Sequence, residues 1–413
     1  MVRRTVTKAV LAAVSMMFLS EPLSAQFNDS DVSAVADRTA VKAVRSGRSG
    51  KLADLQQFYE ERKPAATSSG AINPLQIPDR LQQQNRFNVN DNSATDQRLL
   101  NSFSPAFNAP AALISAEGYS SDDNAAVVGG RVTPPDTNGD VGLNHYVQYV
   151  NLGWVVLDKN TGNTVAGPFP GNLFWQGFGG VCETQNAGDP IVLYDHLAGR
   201  WLFSQFTGTS VNDGHQCVAI SDGEDPLGPY TLYDFVVSPN AFNDYPKISV
   251  WPDGYYMTTH EFAGAQLSFA GVNLTVFDRN AMLAGDTNAG FIQFSNVDSG
   301  EALEFGVQVG HLEGNDLPPA GSCNTLIHAT DTAAFGLPGA DRFRFWQACV
   351  DFNNPNNSSL NQVASVAAPA FDQNFCGFNR DCIDQNSASG TNLDGLAGFT
   401  LYRFNQRYFP AEG

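Results

Sequence analysis

An all-β body behind an export leader is what these 413 residues predict, and three observations carry that expectation. From about residue 127 onward the chain is a series of short runs rich in Val, Ile, Phe, Tyr and Trp, each closed by Gly, Pro, Asn or Asp, with no convincing long helix between them. The runs recur: "GDVGLNHYVQYVN", "GDPIVLYDHLAGRWLFSQF" and "NDYPKISVWPDGYYMTTHEF" each place an Asp before an apolar strand, a polar turn and an aromatic strand. The strands also read as nearly continuous apolar stretches, such as IVLY and WLF, which is what a sheet covered on both faces needs. Weaker copies, "NDLPPAGSCNTLIHATD" and "LDGLAGFTLYRF", put the leading aspartates at Asp140, Asp189, Asp244, Asp316 and Asp394. Four strands fit the second unit (190–194, 200–206, 216–221, 230–236) and the third (245–251, 255–262, 272–278, 291–295). Four antiparallel strands per repeat make the blade of a β-propeller, so residues 127–413 are expected to form one, with four blades and a partial fifth in view and ring closure open.

The segments before it follow in order. Residues 1–25 combine Arg3, Arg4 and Lys8, an apolar run from Ala9 to Leu19 and the small residues Leu23-Ser24-Ala25, the pattern of a secretory signal. The run is too short for a membrane helix, which needs about twenty residues, so no membrane span is expected and the mature protein is placed outside the cytoplasm, extracellular or periplasmic. Residues 26–64 read as helical, with Val32, Val35 and Ala36 and then Leu52, Leu55, Phe58 and Tyr59 at helical spacing on either side of Ser-Gly-Arg-Ser-Gly. Lys42, Arg45, Arg48 and Lys51 make this stretch basic, consistent with a pro-segment, a helix docked on an acidic body or a solvated arm. Residues 65–126, rich in Asn, Ser, Gln, Ala and Pro, read as a low-complexity linker. The formal charge is −19; the leader carries a net +2 (Arg3, Arg4 and Lys8 against Glu21), which leaves −21 on the mature chain. Such a field repels phosphate backbones, so nucleic acid is not an expected partner. Six cysteines in an exported chain favour disulfides, and local spacing suggests Cys182 with Cys217, Cys323 with Cys349 and Cys376 with Cys382 out of fifteen possible connectivities.

The stretches "PPDTNGDVGLNHYVQYVN", "DPIVLYDHLAGRWLFSQF" and "DYPKISVWPDGYYMTTHEF" resemble an uncharacterised family of secreted bacterial β-propeller proteins, over roughly residues 127–402. The resemblance implies export and a propeller, in some members beside adhesion or protease-type modules, and implies no established reaction. Two looser likenesses accompany it. "AISDGEDPLGPYTLYDF" is similar to a strand-turn-strand of five-bladed glycoside hydrolases, and "SVWPDGYYM" is similar to the WSPDG turn of other propeller repeats, although Pro and Gly serve hairpin turns in any fold.

Candidate functional residues come from the same repeat. Asp136, Asn138 and Asp140 alternate as hard oxygen ligands do in calcium loops, so a Ca2+ cofactor is weighed there against a turn-capping role, for which Asp140 is the better fit. The leading aspartates should surround one mouth of a central channel, with Asp189, Asp244 and Asp316 beside Tyr255 and Trp251 as ligand-binding residues; carboxylates that close raise one another's pKa and call for a nearby cation. For glycoside hydrolysis two opposed carboxyls are required, one kept protonated by an apolar setting. Glu183 and Glu261 are the candidates for the acid, and Asp189 or Asp244 for its ionised partner. No G-x-S-x-G, H-E-x-x-H or P-loop motif occurs, and the six histidines are scattered. The leading expectation is therefore a monomeric secreted propeller that binds an extracellular glycan or protein. A propeller glycoside hydrolase or polysaccharide lyase is the alternative, and a structural or adhesion module is the third reading.

Overall fold

The computed structural model describes residues 40–62, 71–72, 112–132, 134–207, 214–265, 267–295, 306–334, 336–372, 400 and 402–410. The expected leader, most of the linker, the leading Asp394 and the Cys376/Cys382 pair lie outside them. Two short strands come first, β1 (Val41–Lys42) and β2 (Arg45–Arg48), followed by helix α1 (Leu52–Arg62). The second half of that segment holds an expected helix, and the first helical stretch, with Val32, Val35 and Ala36, lies outside the described residues. After a two-residue pair, β3 (Ala71–Ile72) with β4 (Arg131–Val132), and a helix α2 (Ser121–Val128) in what reads as linker, the chain builds four sheets in succession. Sheet I holds β5 (Asn138–Val141), β6 (His145–Val150), β7 (Gly153–Asp158) and β8 (Thr164–Pro170). Sheet II holds β9 (Gly188–Asp195), β10 (Arg200–Thr207), β11 (Gly214–Ser221) and β12 (Tyr230–Ser238). Sheet III holds β13 (Ala241–Trp251), β14 (Gly254–Ala263), β15 (Ser268–Asp278) and β16 (Gly290–Phe294). Sheet IV holds β17 (Gln308–Glu313), β18 (Asn324–Thr330), β19 (Arg342–Cys349) and β20 (Ser359–Ala367), and β21 (Phe404–Arg407) ends the described chain.

Each sheet is an antiparallel meander of four strands, as the repeat predicts. The sheets pack face to face in series, which explains the unbroken apolar runs. One core of Trp154, Phe169, Phe174, Trp201 and Phe203 fills the space between sheets I and II. A second, with Leu202, Phe235, Ile248 and Met257, lies between II and III, and a third, with Tyr256, Leu274, Val309 and Trp346, between III and IV. Strands of sheets II and III are therefore buried on both faces, where alternation with polar residues would strand unpaired groups. The first strands of successive sheets adjoin, β5 on β9, β9 on β13 and β13 on β17.

The basic segment serves the outer edges. β2 pairs with β12 as a fifth strand of sheet II, β1 pairs with β16 as a fifth strand of sheet III, and Leu52, Leu55 and Tyr59 of α1 enter the core of sheet I. Arg48 ion-pairs with Asp222, which realises the attraction of a basic arm to an acidic body. Covering the last strand of a sheet removes an exposed row of N–H and C=O groups. Two disulfides join Cys182 to Cys217 and Cys323 to Cys349, as the spacing suggests. Among the described residues no helix is long and apolar enough to cross a membrane.

One of the repeat assignments needs correction. Sheet IV begins at Gln308, so Asp316 does not lead it; this residue sits exposed in the connection from β17 to β18, beyond the far end of the strand. Most of the "LDGLAGFTLYRF" copy lies outside the described residues. Its end runs into β21, which pairs parallel with β17, while Tyr402 donates its hydroxyl to the Ile248 carbonyl on β13 and Arg403 ion-pairs with Asp140 on β5.

Candidate active site

The starts of β9 and β13 and the lead-in to β5 bring three aspartates together. Asp136, Asp189 and Asp244 form a hydrogen-bonded row in which Asp189 contacts both of the others. All three are half-buried, so they are recessed yet reach solvent. Loss of hydration is the largest cause of a raised pKa at each, with mutual repulsion added, and it lifts the carboxyls from the ordinary range to about 7 for Asp136 and Asp189 and about 6 for Asp244.

The backbone at this point is unusual. Five described non-glycine residues have positive φ, and three of them are here: Asp136 at 38°, Asp189 at 42° and Tyr245 at 54°. Each costs on the order of 1 kcal/mol or more and persists because its surroundings hold it. The β13–β14 register slips between Asp244 and Lys247, a bulge that re-aims the side chains next to it. Proline stands beside each turn (Pro135, Pro190, Pro246), near a strand start or, for Pro246, within the β13 bulge, where a backbone N–H is not needed.

One ammonium is supplied by the protein itself. Lys247 attracts all three carboxylates, lies 3.6 Å from the Tyr245 ring centroid and donates to the Pro246 carbonyl; burial lowers its pKa against that attraction. The Tyr245 ring also stacks on His260 with centroids 4.9 Å apart, and burial holds His260 neutral, its pKa down to about 3, while its Nε2 accepts the Gly306 N–H at 3.0 Å. Tyr245 thus contacts both Lys247 and His260 and positions the ammonium beside the row. Asn151 donates to Asp136 at 2.7 Å, and the Tyr245 N–H donates to Asp189 at 3.0 Å. The Asn151 side-chain oxygen is buried without a partner and closes on Gly188, where any Cβ would stand 2.7 Å from it.

The remaining expected residues fall elsewhere. Asn138 and Asp140 alternate along β5 and stitch sheet I to sheet II: Asn138 accepts from the Val192 N–H and donates to the Pro190 carbonyl, and Asp140 accepts from the Tyr194 N–H at 2.9 Å and from Arg403. Glu183 accepts the N–H groups of Gly177 and Gly179 and so fixes a glycine loop, apart from the acidic row. Glu261 pairs with Asn243 across the strands, on the face of sheet III opposite His260. Trp251 and Tyr255 are core residues. Trp251 donates to the Ser322 carbonyl, and Tyr255 donates to Asp195, which also takes a two-pronged contact from Arg279 at 2.7 and 3.1 Å. The one grouping of metal-type ligands within a common reach among the described residues, Cys182, Cys217 and Asp234, has its sulfurs tied in a disulfide.

Solved structures similar to this chain include a glycosyl hydrolase from Bacteroides ovatus (14% identity, 67% of this chain and 78% of that one, TM-score 0.29). Two more are the α-L-arabinanase of Cellvibrio cellulosa complexed with arabinohexaose (11%, 58% and 79%, TM-score 0.27) and an exo-1,5-α-L-arabinanase from a bovine ruminal metagenomic library (13%, 58% and 80%, TM-score 0.24). No protein-family model and no curated protein matches the chain.

Proposed function

We propose that this chain is an exported β-propeller glycoside hydrolase whose acid and base are drawn from Asp136, Asp189 and Asp244. The row of three coupled carboxyls at the strand starts is the observation that carries this reading. Hydrolysis of a glycosidic bond asks for one carboxyl that keeps its proton near neutral pH and another that is ionised, set some ångströms apart across the bond. Asp189 between Asp136 and Asp244 couples their protons, so that the row titrates as a unit. Lys247 stabilises the ionised form and limits how far the pKa values climb. The contact of successive first strands and the C-terminal segment that touches β5, β13 and β17 support a radial arrangement of the sheets.

The charge also selects the substrate. Three carboxyls in a chain of net charge −19 repel uronic acid polymers, which favours hydrolysis of neutral glycans over lyase chemistry. The test is turnover of neutral oligosaccharides and polysaccharides by the purified secreted protein, followed by reducing-end release. Asp136→Asn and Asp244→Asn should each lower kcat/KM at least 100-fold with the fold intact by circular dichroism. Glycan binding without turnover in the wild-type chain would assign this face to a binding module instead.

A further inference from the structure

A second polar chamber lies away from the acidic row, between sheets II and III. Glu261 on β14 is 5% exposed, accepts the Thr259 hydroxyl at 2.6 Å and is bonded by Asn273. Among the described residues no cationic side chain acts on it, and burial pushes its pKa up to about 7. Its cross-strand partner Asn243 is fully buried. The Asn243 amide nitrogen donates to the His215 carbonyl and to Gln216 Oε1, which fixes the flip of the side chain and turns Oδ1 the other way. That oxygen has no hydrogen-bond partner. Ser238 Oγ comes close to Glu261 and is likewise without a well-formed bond. Gly214 makes the convergence possible: a Cβ there would stand 2.6 Å from Asn243 Oδ1, 2.7 Å from Ser238 Cβ and 2.8 Å from the Ala241 carbonyl oxygen.

The chamber is rich in oxygens and poor in positive charge. Thr259 and Asn273 donate to the Glu261 carboxyl, but no charged group balances it and the buried Asn243 oxygen beside it has no donor, an arrangement that something positive between the oxygens would stabilise. A proton on Glu261 or a bridging water would answer for part of it. A hard cation answers for all of it, because it accepts four or more oxygens at once and restores the charge that burial makes costly. We infer that Glu261, Asn243, Ser238 and the Ala241 carbonyl form a structural site for a hard metal cation of the calcium type, pinning β13 and β14 to the edge of sheet II.

Calcium is the probe. Protein stripped with EDTA and titrated with calcium chloride should bind one ion at this chamber, and its Tm should rise by about 2–4 °C at saturation. Glu261→Gln keeps the side-chain volume and supplies an amide donor to Asn243, so it should fold, show no calcium-dependent rise and lose the binding heat. Asp189→Asn should keep both, which separates this site from the acidic row and makes failure here distinct from failure of the proposed reaction. Wild-type crystals soaked in calcium give a readout that needs no variant: an anomalous peak between Glu261 and Asn243. An unchanged Tm in the wild-type chain, a shift that persists in Glu261→Gln, or soaked crystals without that peak would overturn the site and leave a proton or a water as the bridge.

Discussion

Asp189→Asn should make this protein more stable while it removes the proposed activity, and the gain should depend on pH. In the folded chain the Asp189 carboxyl keeps its proton up to about pH 7, against 3.8 when unfolded. Between those values the folded state binds more protons than the unfolded state, so the residue's contribution to stability falls as pH rises through that window. Three units correspond to roughly 4 kcal/mol at the upper limit. Asp189 is only half-buried, and solvent screening reduces this to about 2 kcal/mol. An asparagine fills the same space, donates to a neighbouring carboxyl and carries no charge to desolvate. The variant should therefore match the wild-type chain at pH 4 and exceed it by about 2 kcal/mol at pH 8, or roughly 2–4 °C in Tm. Differential scanning fluorimetry at both pH values measures this, and carbon-13 titration of the aspartates adds a second reading, because Asp136 should ionise at lower pH once its charged neighbour is gone. A variant equally shifted at pH 4 and pH 8, or destabilised at pH 8, would refute the electrostatic account of the row.

Other outcomes follow from the rest of the fold. Arg279→Met leaves Asp195 buried and unpaired, at 0% side-chain exposure, and should cost about 3–5 kcal/mol in urea unfolding. Replacing Cys182 and Cys217 together by Ser removes a cross-link over 35 residues and should lower stability by roughly 3 kcal/mol, with no effect of reductant on the variant. Deleting residues up to Gly50 uncovers the edges of β12 and β16, and light scattering should detect association that the full chain does not show.

The sheets were legible because the physics that makes them is local. Apolar runs bounded by Gly, Pro and Asp located the strands of sheets II and III to within a few residues. The site was legible only in part. Asp189 and Asp244 were found through the repeat, yet Asp140 was aligned with them in place of Asp136, because Gly-Asp looks alike in both contexts; the proline beside each turn residue was the better guide. Lys247 was missed, since a lysine inside an apolar strand reads as an edge residue until its three carboxylates are seen around it. Trp251 and Tyr255 were drawn to the mouth by their chemistry, whereas they lie at the opposite end of β13 and start of β14, inside the core. Strands β1 and β2 carry no periodic signal of their own; they are strands because β12 and β16 offer them partners.

The C-terminal segment completes the electrostatic argument. Arg403 meets β5 at Asp140 and Tyr402 meets β13 at Ile248, in each case four residues further along the chain than an acidic position of the row. The protein's own chain thus meets the first strands of sheets I and III a few residues past the row. The three carboxyls keep some contact with solvent yet lose enough hydration to hold protons near neutrality. Under the proposed reaction a substrate would meet Asp136, Asp189 and Asp244 beside Lys247, which is fixed against Tyr245.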